Sequence, residues 1–214
     1  MTNGLFIVLE GGDYTGKGTQ VVRLAQHILD FSEDNDVLIT HEPIRRAREI
    51  KRRLKEEENA YANAERMAEL YIEDRRVHSG IIIGPNLREG VIVIGNRYAM
   101  STCVYQSLQG MPLSRLIEMH QHPEILRPDL TILLDITPET GNQRESMRKE
   151  PPEKKFERKT FRDAVYQRYL EIASSKAYKA RFGDVVIVNG NGSPEEIAQR
   201  IRSEFDPLYE AWQS

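Results

Sequence analysis

Cysteine is nearly missing from this chain. Cys103 is the one example in 214 residues, so no disulfide can form within it, and a reducing cytoplasmic setting is expected. Long apolar runs are missing too. No stretch approaches the roughly 20 residues of a membrane-crossing helix, and the first residues lack a basic segment leading into an apolar core, so neither a membrane partner nor a secretory signal is expected. An excess of charge of one sign is absent: 30 Lys and Arg stand against 33 Asp and Glu, a net −3. That excludes general attraction to nucleic acid, and any anionic ligand has to be held by local clusters. Low-complexity linkers and internal repeats are absent as well, so residues 1–214 are expected to form one domain.

What is present is β–α alternation. Five short runs rich in Val, Ile and Leu read as strands: Leu5–Leu9, Val37–Thr40, Val91–Gly95, Leu130–Ile136 and Val185–Val188. Their apolar residues are continuous rather than alternating, the pattern of a parallel sheet covered on both faces. The intervening segments predict helices over Gln20–Phe31, Arg46–Glu58, Asn63–Leu87, Met100–Leu108, Ser114–His120, Pro138–Arg148, Phe161–Ala180 and Pro194–Trp212, with Gly80–Asn86 either kinking or breaking the third. The fold class is α/β. Ligands of such sheets gather at the carboxyl ends of the strands, which here carry Glu10 and a glycine-rich turn, His41-Glu42-Pro43, Asn96-Arg97-Tyr98, Asp135, and Asn189-Gly190.

The first turn has the most specific chemistry. Gly11, Gly16 and Lys17 stand at the spacing of a phosphate-binding loop, after a strand and before a helix. Glycines let successive N–H groups face one anion, the helix N-terminus adds partial positive charge, and Lys17 adds a full one. Asp13, Tyr14, Thr15, Gly18 and Thr19 complete the candidate loop. Gly18 stands where a hydroxyl residue would normally reach magnesium, and Thr19 lies roughly 100° further around the helix.

Taken with the segments EP at Glu42-Pro43, EDRRVH at Glu73–His78, NRYAMSTCVYQ at Asn96–Gln106 and RPDLTILLDITPE at Arg127–Glu139, the loop makes nearly the whole chain resemble the thymidylate kinases. That resemblance implies a three-layer P-loop kinase fold with a five-stranded parallel sheet and a short lid, ATP and Mg2+, transfer of phosphate to dTMP, and a homodimer. It also implies roles. Lys17 and the loop would serve ATP, Asp13 the acceptor sugar, Arg97 the acceptor phosphate, Tyr71 the thymine ring and Arg75 the acceptor. Glu42, Ser101 and Tyr105 match further acceptor positions, with Gln106 a weaker match, and Arg144 matches an arginine near the adenine.

The lid falls at about 145–162. Some members of the family carry a catalytic arginine where this chain has Tyr14, so the missing cation is expected from Arg148 or Arg158, with Lys155 behind them. Seven basic residues lie in Arg45–Lys55; Glu49 and Arg53 are spaced for a helical ion pair, and Arg45 or Arg46 could reach the acceptor phosphate. Asn96 replaces the family's Asp. With Gly18 it predicts a metal held by phosphates and water, unless Glu10, Glu42 or Asp135 compensates. The pair also leaves two alternatives: a kinase for another acceptor, or a weakly catalytic nucleotide-binding protein. His120 and His122 do not share a helix face, and no Cys or carboxylate cluster completes a metal site.

Overall fold

The computed structural model describes residues 3–44, 47–56, 63–147 and 159–214. Five parallel strands, β1 (Phe6–Glu10), β2 (Val37–His41), β3 (Ile92–Asn96), β4 (Leu130–Asp135) and β5 (Asp184–Asn189), form one sheet in the order β2-β3-β1-β4-β5. The register sets Leu9 opposite Asn96 and Glu10 opposite Leu133, so the strand ends carrying Glu10, Asn96 and Asp135 open on one edge of the sheet.

The central strands are buried except at the carboxyl ends of β3 and β4, where Asn96 and Asp135 are partly exposed, as expected of strands covered on both faces. The edge strands differ. β2 and β5 are partly exposed, and β5 alternates buried Val185 and Val188 with exposed Asp184 and Ile187. An edge strand has a neighbour on one side, so less of each face is covered. Side chains of β1 alternate between two cores. Phe6 and Val8 pack with Val93, Tyr98, Cys103 and Leu116 on one face, while Leu5, Ile7 and Leu9 pack with Val21, Leu24, Ile28, Ile201 and Phe205 on the other. Two apolar helix layers thus sandwich the sheet. Each fully buried Leu or Ile contributes about 1.5–3 kcal/mol relative to an exposed one.

The helices are α1 (Lys17–Phe31), α2 (Arg48–Glu56), α3 (Ala64–His78), α4 (Gly84–Arg88), α5 (Ala99–Leu108), α6 (Leu113–Met119), α7 (Pro138–Ser146), α8 (Lys159–Ser174), α9 (Lys176–Lys179) and α10 (Pro194–Gln213). Gly80–Asn86 turns out not to be a break: a π-helical turn at Ser79–Ile83 joins α3 to α4 without leaving helical dihedrals. The expected helix over Phe161–Ala180 is interrupted at Ser175, which leaves helical geometry with ψ 119°. α7 and α10 start as their sequences predict, at Thr-Pro and Ser-Pro. Thr137 accepts from Thr140 N, and Ser193 with Glu196 forms a capping box. The Glu49–Arg53 pair is formed at 3.1 Å.

Candidate functional site

The loop after β1 curls around its own lysine. Gly11 and Gly16 take φ of 144° and 91°; a Cβ on Gly11 would come within 3.0 Å of Leu134 O, so both the backbone state and the space demand glycine. Gly16 then starts α1, leaving the first N–H groups of that helix without helical partners and pointing into the loop. Lys17 is 7% exposed. Its Nζ donates to Gly11 O at 3.0 Å, Gly12 O at 2.5 Å and Thr15 Oγ1 at 3.1 Å.

Arg97 reaches the same loop from the end of β3. Its backbone is left-handed, φ 68°, which turns the side chain back over β1 while Arg97 N donates to Leu9 O at 3.0 Å. Nη1 donates to Gly11 O at 3.2 Å and Ser101 Oγ at 3.2 Å, and Nη2 is paired with Asp13. The Tyr105 ring lies under the guanidinium, 5.5 Å away, and its hydroxyl donates to Asp13 Oδ2 at 3.1 Å. Burial alone would raise the Asp13 carboxyl, but Arg97 and Lys17 outweigh it and hold Asp13 below the ordinary carboxylate value. The site therefore keeps an anion between two cations.

Behind Arg97 lies Glu10, fully buried at the end of β1, which holds Ser101 and Tyr169, two of the groups that Arg97 donates to. Oε1 accepts from Tyr98 N at 2.8 Å and Ser101 N at 3.1 Å; Oε2 accepts from Ser101 Oγ at 2.6 Å and Tyr169 OH at 3.2 Å. No side chain of its own caps α5. The carboxylate of a neighbouring strand does so instead, where the helix dipole favours an anion. Glu10 is thus engaged in holding α5.

A second buried group lies on the β2 side. Glu42 Oε2 accepts from Arg75 Nε at 2.9 Å and Nη2 at 2.5 Å, and His78 Nδ1 is 3.1 Å from Oε1. Arg75 is 1% exposed and also donates to Thr102 Oγ1 at 3.0 Å and His120 Nε2 at 2.5 Å. Burial would lower its guanidinium, and Glu42 more than offsets that. A guanidinium can only donate, so His120 Nε2 accepts, and Nδ1 carries the proton directed at Leu116 O, 2.6 Å away. Glu42 is likewise engaged within the protein, by Arg75 and His78. Tyr71 sits between the two groups: burial pushes its hydroxyl up to about 12, while Arg97 and then Arg75 pull it down. Arg97 and Tyr105 therefore meet at Asp13, Ser101 joins them through Arg97, and Tyr71 lies between Arg97 and Arg75.

Burial and the Arg75 charge lower the His120 imidazole to about 3, so it stays neutral in the fold. In the unfolded chain it takes up a proton near pH 6.5. Between those values the unfolded chain binds the extra proton, and acidification destabilises the fold by up to about 1.4 kcal/mol per pH unit. Urea unfolding of parent and His120→Gln from pH 7 to 5 is expected to show a steeper loss in the parent; parallel curves would contradict this.

On the β4–β5 side, Arg144 donates to Thr15 O at 3.1 Å and Gly190 O at 2.8 Å. It lines a hollow with Tyr14, Gly16, Thr19, Gln20 and Gly192, next to the phosphate loop. Asp135 lines a different cleft, beside α8, where its partner is the Tyr166 hydroxyl. Asn96 faces Gly18: a Cβ there would lie 3.9 Å from Asn96 Nδ2. Among the described residues no group of three His, Cys, Asp or Glu could hold a metal. Cys103 is buried and its thiol is pushed up to about 12, so it is a packed side chain rather than a nucleophile. Arg148, Arg158, Lys155, Arg45 and Arg46 lie outside the described residues.

Sequence reasoning missed Tyr169 and His120. Tyr169 lies on the stripe Phe161, Val165, Tyr169, Ile172 that forms the buried face of α8. A tyrosine on such a stripe needs a polar partner, and that was the available signal. His120 gave none, because its partner lies 45 residues away.

The model of a family described as thymidylate kinase matches residues 9–201. A protein named probable thymidylate kinase from Staphylothermus marinus is 34% identical over 208 residues, covering 97% of this chain and 92% of the relative. Proteins named thymidylate kinase from Maridesulfovibrio salexigens and Ruegeria pomeroyi are 32% and 35% identical, covering 94% and 92% of this chain and the same shares of their own. No helix of the described residues is long and apolar enough to cross a membrane.

Proposed function

The chain belongs to the thymidylate kinase family, and on that premise we propose that it transfers the γ-phosphoryl group of ATP to dTMP, giving dTDP and ADP. One observation carries the reading furthest. Lys17 Nζ and Arg97 Nη1 converge on a single oxygen, Gly11 O, at 3.0 and 3.2 Å. One cation comes from the donor loop and the other from the acceptor side. An oxygen of the dTMP phosphate forms the new bond to the γ-phosphorus as the bond to the β–γ bridging oxygen breaks. The protein's task is to align the two phosphates and neutralise their charge. Lys17 and the N–H groups of α1 hold the donor phosphates, and Arg97 holds the acceptor phosphate. Asp13, kept ionised, accepts from the acceptor sugar, and Tyr71 covers the base. Four of the Arg75 donor contacts lie within the protein; its remaining Nη1 proton is what it offers the base. Arg144 flanks the adenine.

Mg2+ bound with ATP would supply further neutralisation of phosphate charge. Gly18, neutral Asn96 and the engaged Glu10 and Glu42 fit a metal held by phosphate oxygens and water. Asn96→Asp is expected to preserve or raise kcat and to lower the Mg2+ concentration needed for half-maximal rate. A collapse in kcat would show that the amide has a role of its own. A homodimer, a single domain and a cytoplasmic setting complete the proposal.

ADP release with ATP, Mg2+ and a panel of dTMP, dUMP, dCMP, UMP and thymidine tests it. dTMP is expected to give the highest kcat/KM. Preference for another acceptor would replace dTMP in the reading, and ATP binding without turnover of any acceptor would overturn catalysis.

A further inference from the structure

Tyr14, in the middle of the phosphate loop, has a left-handed φ of 61°, a backbone state in which an aromatic residue has to be held. Two helices provide the hold. The Arg162 guanidinium from α8 lies 5.5 Å from the centre of the Tyr14 ring. It forms a two-pronged ion pair with Glu145 of α7, Nη1 at 2.6 Å and Nη2 at 2.7 Å, and Nη1 also donates to Asn142 Oδ1 at 2.5 Å. The Tyr14 hydroxyl hydrogen-bonds to the same Glu145. The ion pair is mostly buried, 18% and 19% exposed, and so is screened less than a surface pair. Loop, α7 and α8 are joined through one aromatic side chain.

We propose that Arg162 is a positioning residue that fixes the Tyr14 ring and, through it, the turn aiming the loop N–H groups at one phosphate group and Asp13 at the other nucleotide. The inference rests on the kinase reading above and concerns how its loop is held. Glu145 and Asn142 take three of the five N–H donors of Arg162, which fixes the guanidinium over the Tyr14 ring rather than on a nucleotide. The planar two-pronged fork is specific to arginine, and the ring face beneath it supplies the attraction that transmits its position to the loop.

Arg162→Ala, Arg162→Lys, Glu145→Gln, Tyr14→Leu and the double variant Tyr14→Leu/Arg162→Ala test this. For each, the Kd of a fluorescent ATP analogue is measured without acceptor, then kcat and KM for ATP and dTMP. Arg162→Ala is expected to raise Kd and both KM values about five- to tenfold, with a smaller fall in kcat. Glu145→Gln should move the same way by less, and Arg162→Lys should recover part of the loss. The double variant should be no worse than the poorer single one, because both break the same contact. Kd and KM within twofold of the parent in Arg162→Ala would overturn the proposal, as would independent, multiplying effects in the double variant. A fall in kcat alone would overturn it too, assigning Arg162 to the reacting phosphates. If the parent phosphorylates no acceptor, the kinase reading fails, while the Kd comparison still decides whether Arg162 positions the loop.

Discussion

Replacing Lys17 by alanine is expected to lower kcat about 10²–10³-fold, with a much smaller change in the KM for dTMP. The ammonium is nearly buried, and its three contacts with Gly11, Gly12 and Thr15 fix it inside the loop. A phosphate group there takes the place of those oxygens, which lie within the reach of one charge. As charge shifts toward the β–γ bridging oxygen, the lysine gains attraction that it lacks in the ground state, so its loss falls on kcat. Removing one preorganised donor of this kind costs about 2.7–4 kcal/mol of transition-state stabilisation. Lys17→Arg is not expected to rescue the rate, because the wider guanidinium fork does not fit a point bounded by three loop oxygens. Steady-state ADP release checks both variants. Near-normal turnover in Lys17→Ala would remove the loop from the phosphate chemistry.

The largest expected loss of stability comes from Glu42→Ala. It strips the counterion from an Arg75 that is 1% exposed. An uncompensated buried cation costs about 3–5 kcal/mol, against a total stability of about 5–15 kcal/mol for a domain. Urea unfolding is expected to show a midpoint lowered accordingly at unchanged slope. Glu42→Gln should lose less, because the amide oxygen still accepts from Arg75. Replacing both partners, as Glu42→Gln with Arg75→Met, should recover part of the loss, since no isolated charge remains. A loss below about 1 kcal/mol in Glu42→Ala would mean that Thr102, His120 and the Tyr98 ring, 4.9 Å from the guanidinium, satisfy the cation by themselves.

These residues also mark how far the sequence could be read. Strand runs, the glycine-rich turn and the Thr-Pro and Ser-Pro helix starts are local patterns, governed by backbone conformation and burial over a few residues, and the structure follows them. The π-turn at Ser79–Ile83 inserts one wider turn into an unbroken run of helical dihedrals, and Gly80 in the sequence reads equally as a break. Pairings between distant elements left no mark in spacing. Glu10 and Ser101 are 91 residues apart, Glu42 and Arg75 are 33 apart, and Arg162 and Glu145 are 17 apart. Before the strand order is known, a charged residue at a strand end reads as a candidate ligand. That is why Glu10 and Glu42 looked available, although each already holds a neighbouring element. Likewise Arg162 sat within the polar 145–162 stretch with nothing in the spacing to single it out.

The strand order has a consequence for how this protein can change. The chain lays down β2 and β3 on one side of β1 before it crosses to β4 and β5 on the other. In the proposed reading, residues 37–108 therefore form most of the acceptor half and residues 130–197 most of the donor half, meeting at the loop after β1. Inheritance can act on the halves separately. A drift in acceptor preference can accumulate in β2, α3, β3 and α5 while the ATP half stays intact. Tyr169 is the stitch across that seam: rooted in the donor half, its hydroxyl lies 2.8 Å from Ser101 Oγ. A change at Ser101 of α5 is the exception, since it would need a matching change at Tyr169 of α8.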